Sequence, residues 1–537
     1  MSTLREFFSQ ETSGDVRYLL HAVPEDYSNV LYPSIPPVEV DVYFSNVAYM
    51  DRTSPKTAPF YYKPFDPRII TPLNITQSLF EPGKTGGVIT PQRGTISLSN
   101  ADGELDYLLG YSWDKKPISL YVMRTDNIKE PTDFADHVLI FEGVTLGVSA
   151  NLETIDIVVA DFGTKLDVDF PPNNYAGTGG NEGSANLAGQ PKPVTLGQVF
   201  NIPPVLVDES NNVYQVHDGA VTSIDEVYEG GESLTLTTDY TVDLANGRFT
   251  LTSTPTGIIT ADVTNDIDSG EPLSYPGVNR AGYIIKHIFE NYAGMVDGTD
   301  FNRFFFRPPG PVNNTEHGAY FNIRITALDA VSLFANSIGA SIFPRSIAGV
   351  PTGALGILVP EFPTTNPSSS SADAITDNEI LDIEQLPTER YSGVEVLVGY
   401  KKNYQVLTED QLSATPDDRD FVTREWRVST AAMESQTWGL AYEGLRNISI
   451  NTTAISSSDA ATIATRLSTY HLRNANIYRV RLKMTVSYLE IGDAVELRST
   501  RLNLTDSSGA GYPMLILSKF EDFEENEITL ELMGEAS

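Results

Sequence analysis

The sequence predicts an α+β protein that is mostly β and divided into several domains, and three observations predict it. Over most of the chain, short apolar runs alternate with polar residues and end at Gly, Asn or Pro. Only three segments carry a helical apolar stripe. Low-complexity stretches interrupt a length of 537 residues, which at roughly 100–200 residues per domain gives about three or four domains.

Residues 38–44 alternate, placing Val38, Val40, Val42 and Phe44 on one face of a predicted strand. Residues 94–100 repeat the pattern and run into a tight turn from Asn100 to Gly103. Residues 139–148 and 154–159 form a predicted hairpin across Asn151, with Ile155, Ile157 and Val159 sharing a face. The low-complexity stretch 171–193, with a glycine-rich run at 175–183, reads as a flexible connector. β patterning returns over 194–263. There 205–207 and 213–216 flank Asn211 and Asn212, and 240–242 and 248–252 flank an Asn246-Gly247 turn.

Helical stripes follow. Val278, Ala281, Ile285, Ile288, Phe289 and Tyr292 make the first; Leu328, Val331, Phe334, Ala335 and Ile338 make the second, with Gly339 as its C-terminal cap. Strands are expected at 341–343 and 354–359, then a Ser/Pro-rich loop at 363–373 with serines at 368–371. A hairpin is expected from 394–400 and 404–407 around Lys401, Lys402 and Asn403. The third stripe, at 459–472, carries Ile463, Leu467 and Tyr470. Strands at 478–486, 494–497, 514–520 and 527–532 finish the chain, and no repeat of fixed period is present.

The formal net charge is −35, from 71 acids and 36 bases. That argues against a nucleic-acid-binding surface, which needs clustered Lys and Arg; Lys115-Lys116 and Lys401-Lys402 are only pairs. Acidity for solubility and acidity that keeps DNA from sticking both remain open. The absence of cysteine excludes disulfides, Cys-ligated zinc, Fe–S clusters and a thiol nucleophile. The N-terminus lacks a basic segment followed by an apolar run, and no apolar stretch approaches membrane-spanning length. The expectation is a soluble chain made in the cytoplasm, with no stable membrane insertion.

Chemistry is sparse. The six histidines show no metal-site spacing and no His-Glu-x-x-His run. His217 and Asp218 could be a dyad, but Gly219 behind them favours a strand-ending turn. The glycine-rich run lacks the spacing and the Lys-Ser/Thr of a P-loop, and there is no Gly-x-Ser-x-Gly elbow. Asp262, Asp266 and Asp268 could offer oxygens to calcium but do not follow a calcium-loop pattern. Sequons at Asn74 and Asn451 carry no weight without secretion. The aromatic runs 60–62 and 304–306 cannot place all their rings on one strand face, so they hint at interfaces. The expectation is no catalytic, cofactor-binding or metal-ligating residue, no cofactor and no enzymatic activity.

Several phrases carry a resemblance. "QRGTISLSNADGELDYLL" at 92–109 and "IFEGVTLG" at 140–147 come first. Residues 175–231 follow, from "YAGTGGNEGSANLAGQPKP" to "VYEGG". "VGYKKNY" at 398–404, "LEIGDAVEL" at 489–497 and "ELMG" at 531–534 complete the set. In order and spacing this resembles the tail hub proteins of long-tailed phages and gene transfer agents, which are similar to the contractile-phage baseplate hub. The resemblance implies a structural virion protein at the distal end of the tail. It implies a homotrimer in which each subunit carries two tube-like β-barrel domains, so that six barrels match the tube above. Implied partners are distal tail and tape-measure proteins above, and tail-tip or fibre proteins below. Genomic DNA is met only in passage. The Fe–S cluster and the added peptidase domain of some relatives are not expected, since this chain has no Cys and no length beyond the matched phrases.

The expected layout is a tube-like barrel at 1–172, a Gly-rich linker at 173–193 and a β-rich domain at 194–270. A helix-containing domain at 271–375 and a second tube-like barrel at 376–537 complete it. Two other readings stay open: a receptor-binding tail protein recognising a host surface glycan, which should show repeats or a fibrous region, and a tail-associated cell-wall hydrolase.

Overall fold

The structure, a computed structural model, describes residues 15–27, 37–52, 54–58, 60–79, 87–88, 93–125, 134, 137–267, 278–302, 314–344, 354–363, 374–388, 391–434, 444–472, 475–486, 488–505 and 509–535. Residues 304–306, Asp268 and the serines at 368–371 lie outside them. The fold is mostly β, with a few helices, in several units.

A nine-stranded sheet is built from the N-terminal end. Its order is Tyr49–Met50, Pro64–Pro67, Val42–Ser45, Asp15–Ala22, Lys116–Thr125, Val138–Ala150, Thr154–Ala160, Arg93–Ser99 and Ile69–Thr71. The hairpin across Asn151 is present: the Asn151 side-chain carbonyl accepts the amides of Glu153 and Thr154 at 2.8 and 2.9 Å, closing the turn. Alternation then buries Ile155, Ile157 and Val159, and Ile157 stands opposite Ile96 on the neighbouring strand.

A seven-stranded sheet comes from the other end: Ala374–Ile375, Ala494–Leu497, Tyr512–Asp522, Glu527–Gly534, Asn476–Lys483 and Ile380–Leu386. Its seventh strand, Asn74–Ser78, is lent by the N-terminal segment and pairs antiparallel with Tyr512–Asp522. Both sheets contribute to one hydrophobic core, in which Leu20, Leu120 and Ile157 lie with Val480, Ile528 and Leu530. Apolar burial on this scale is the main term holding the ends of the chain together.

Between the ends sit two further units. In the first, a five-stranded sheet (Glu232–Ser233, Ser223–Glu229, Ile259–Asn265, Val194–Ile202, Gly318–Phe321) and a four-stranded sheet (Val205–Asp208, Val213–Gln215, Arg248–Leu251, Tyr240–Asp243) share a core around Val227, Phe249 and Val263. The Asn246-Gly247 turn is present with Gly247 at φ 58°. A Cβ there would lie 2.6 Å from the carbonyl oxygens of His217 and Gly219, so only glycine fits.

The second unit holds helices α1 (Ala281–Asn291) and α2 (Ala327–Ser337). A short α3 (Arg419–Val422) precedes α4 (Ser457–His471), which covers one face of a three-stranded sheet, Arg427–Glu434, Gly393–Tyr400 and Leu445–Asn451. A capping box between Thr326 and Asp329 starts α2, and Gly339 at φ 62° ends it. The three predicted helices are thus present.

Four expectations need correction. Residues 38–44 are not one strand: Val38–Glu39 and Val42–Ser45 are separate, Val42 and Phe44 are buried, and Val38 is exposed. Residues 404–407 do not pair with 394–400. Gly393–Tyr400 instead takes Arg427–Glu434 antiparallel on one side and Leu445–Asn451 parallel on the other. Residues 393–472 do not join the seven-stranded sheet; Val394, Val396 and Val398 face α4 and the helical core, which interrupts the span 376–537. The stretch 173–193 is not slack. Tyr175 is buried and donates to Gln215 Oε1 at 2.8 Å, Lys192 Nζ pairs with Glu182 at 2.8 Å, and Gly179 N donates to Gly183 O at 2.7 Å. One buried tyrosine and these local bonds give a compact surface loop.

Candidate functional site

The residues singled out from the sequence are not brought together. His217 is buried at the end of a strand, where its Nδ1 accepts the Thr195 amide at 2.9 Å. Burial lowers its pKa to about 4. Asp218 turns the other way and accepts the Asn173 side-chain amide at 2.8 Å. The pair forms no dyad; Gly219, at φ 126°, completes the turn.

The acidic loop is likewise dispersed. Asp266 accepts the Asn279 side-chain amide at 2.8 Å. Asp262, on strand Ile259–Asn265, points into the wall of the β-rich unit. Its Oδ1 accepts the Asn201 amide at 2.7 Å and its Oδ2 the Tyr228 hydroxyl at 3.2 Å. Burial pushes its pKa up to about 6, against the pull of the Asn201 amide, Lys401 and Tyr228. Among the described residues no group of three or more His, Asp or Glu side chains is placed to hold a metal ion, and no helix is long and apolar enough to cross a membrane.

The Lys401-Lys402 pair is a junction. The Lys401 ammonium lies over the rings of Phe200 and Phe421, 4.5 and 4.6 Å from their centroids. Lys402 lies over Tyr404 and Trp426, and burial lowers its pKa. Behind them Asn403 is buried. Its Nδ2 faces the carbonyl oxygens of Phe421, Val422 and Arg424 at 3.0–3.1 Å, and its Oδ1 accepts Asn201 Nδ2 at 2.7 Å. Asn403 therefore caps the end of α3 and ties it to the β-rich unit.

Two polar groups that tie elements together had no signal in the sequence. His317 is enclosed, with Thr315 Oγ1 at 2.8 Å from Nε2 and Thr453 Oγ1 at 2.9 Å from Nδ1. Burial lowers its pKa to about 3. Thr453 Oγ1 donates on to Ser337 Oγ at 3.0 Å, so the chain joins three elements distant in sequence. Arg466 on α4 donates to Ile338 O at 3.2 Å and Pro360 O at 2.8 Å. Both groups have partners, His317 in packed interior and Arg466 half-buried, and both orient elements.

A cleft of about 840 Å³ opens beside the β-rich unit, lined by Glu229, Glu232, Asp239 and Asp410 among others, with no Lys or Arg in its wall. The Glu229 carboxylate there is committed to the amides of Thr256 and Gly257. Such a wall offers nothing to a phosphate. Of the aromatic run 60–62, Phe60 is buried against Phe65 and Tyr49 while Tyr62 is exposed.

No family model and no curated protein matches the chain. Solved structures do. A 43 kDa tail protein of prophage MuSo2 from Shewanella oneidensis is 10% identical at a TM-score of 0.36, covering 88% of this chain and 93% of that one. A tail protein from Neisseria meningitidis MC58 is 9% identical at 0.38, covering 86% and 91%. A chain of the virion of a native gene transfer agent is 10% identical at 0.37, covering 65% and 85%. These three solved structures, to which this chain is similar, are tail and virion proteins.

Proposed function

We propose that this chain is a structural, non-enzymatic hub at the distal end of a phage-type tail, joining the tail tube to tail-tip or fibre proteins and enclosing the DNA channel. The observation that carries the reading is the convergence of two sheets from opposite ends of the chain on one core, each sheet keeping edge strands such as Ile69–Thr71 and Ile380–Leu386. In this reading residues 1–172 and 376–537 each supply a tube-like barrel module, the second interrupted by 393–472. The β-rich unit at 194–270 and the helical unit at 271–375 lie between them. Three copies form a ring of six modules, and their edges pair between subunits, which removes the aggregation hazard of an open edge. The sequence phrases from 92–109 to 531–534, in order, support the same assignment.

The partners are two further copies, the distal tail and tape-measure proteins above, and tail-tip or fibre proteins below; DNA passes without specific contact. The test is a reconstruction of the particle that contains this chain. Three copies in a ring at the distal end of the tube are expected. Sixfold or single-copy placement, or absence from the particle, overturns the reading.

A further inference from the structure

The three-stranded sheet of the helical unit has two open edges. Gly393–Tyr400 is its centre, with Arg427–Glu434 antiparallel on one side and Leu445–Asn451 parallel on the other. Among the described residues neither outer edge pairs with a further strand. Proteins ordinarily blunt such edges with proline, lysine, a bulge or brevity, because free amides and carbonyls template pairing with another chain. Here the two edge strands are 8 and 7 residues long, contain no proline or lysine, and keep register with the centre strand without a shift. Residues 428–433 carry no charge, and the one charge in 445–451, Arg446, lies over the Tyr391 ring.

The same sheet has an open face. α4 covers the side that carries Val394, Val396 and Val398. On the opposite side Leu397 stands between Thr430 and Ser449, and at the margins Val428 and Leu445 are 59% and 45% exposed.

The two edges fit each other. Their strands run in opposite directions, so a copy turned about an axis along the strands brings its 427–434 edge antiparallel to the 445–451 edge of its neighbour. Ala431 and Ile448 both stand opposite Val396 and pack toward the helical core, so any even stagger keeps that face continuous from copy to copy. An edge paired with its own kind would leave the second edge of each copy bare, whereas pairing unlike edges covers both.

We propose that Arg427–Glu434 of one copy pairs antiparallel with Leu445–Asn451 of the next, a seam between copies of this chain that lies outside the barrel modules. The pairing stands by itself; its closure at three copies rests on the hub reading. Three copies close nine strands into a barrel with α4 of each copy outside. A barrel of that size is filled by its own side chains, so Leu397, Val428 and Leu445 become its interior and the wide channel is left to the barrel modules.

Disulfide trapping in the full chain tests the seam, since the chain has no cysteine of its own. Ser449→Cys is combined in turn with Val428→Cys, Thr430→Cys and Ala432→Cys, all at exposed positions, which covers a stagger of two residues either way. Within one copy Thr430 and Ser449 flank Leu397. They are two strand spacings apart, about 9.5 Å, beyond the roughly 7 Å that a disulfide spans between Cα atoms, so only a link between copies can form. Under a mild oxidant at least one pair is expected to give a ladder of linked chains that ends at three. Any of these cysteines alone should stay unlinked, as should Ser449→Cys combined with Leu152→Cys on the 93% exposed hairpin turn. A ladder that runs past three supports the seam and refutes the three-copy ring, so the two readings fail separately. No linked product from any pair, a two-chain product from a single cysteine, or equal linking in the Leu152 control overturns the seam.

Discussion

Tyr18 and Phe523 lie 505 residues apart in the chain and meet twice: the Tyr18 hydroxyl donates to the Phe523 carbonyl at 3.0 Å, and their rings meet edge-on at a centroid distance of 6.3 Å. This contact stitches the N-terminal sheet to the turn between the last two strands. Tyr18→Phe keeps the ring and strands a buried carbonyl, at a cost of about 1–3 kcal/mol. In urea, probes on the nine-stranded and seven-stranded sheets should shift together. Separate transitions for the two sheets would show that the shared core is not one cooperative unit.

His317 should make the fold acid-sensitive. Its pKa in the fold, about 3, lies below its ordinary value of 6.5, so its contribution is complete above 6.5 and is lost as pH falls from 6.5 toward 3. Between about pH 7 and pH 5 the wild type should lose roughly 2 kcal/mol on this account. His217 acts in the same direction; Asp262 acts in the opposite one, its raised pKa costing stability as pH climbs from about 4 to 6. His317→Gln should be less stable at neutral pH and show a shallower acid slope, measured as urea unfolding free energies at the two pH values. An unchanged slope would acquit His317.

Asn403→Ala removes one acceptor and a donor shared among three carbonyls at the end of α3. The groups left unpaired cost about 1–3 kcal/mol. The loss should be local, read as faster limited proteolysis within 403–424 while strands 476–534 stay resistant. Equal acceleration in both regions would refute a local role.

The proposed ring makes a prediction about charge placement. Double-stranded DNA carries about one negative charge per 1.7 Å of axis, so a basic channel would retain it through counterion release, while an acidic channel repels it weakly within a screening length of about 10 Å at 0.1 M salt. With a net charge of −35 available, the channel-facing surface should be predominantly Asp and Glu. A neutral or basic lumen beneath an acidic exterior, in an assembled reconstruction, would assign the acidity to solubility instead.

Local signals were legible in the sequence, and distant ones were not. Asn151, Gly247 and Gly339 announce their turns because each acts within a few residues, and the three stripes place α1, α2 and α4 because helical periodicity is a local property. The hairpin expected around Asn403 failed because that side chain bonds α3 and Asn201, neither of which is near in sequence. The glycine-rich loop looked slack because one buried tyrosine and one ion pair hold it, and neither shows in composition. His317 was silent because its burial depends on packing against Thr453, 136 residues away.

The lent strand and the shared core also set a timetable for synthesis. When residue 160 leaves the ribosome, the N-terminal strands can already pair, yet the core that holds Ile96 and Ile157 also needs Val480, Ile528 and Leu530. Those residues arrive about 320–370 positions later, roughly 16–75 s at a translation rate of about 5–20 residues per second. For that interval Asn74–Ser78 has no strand to pair with. For that time the apolar face of the first sheet lacks its partner sheet, the condition under which a growing chain is most prone to aggregate.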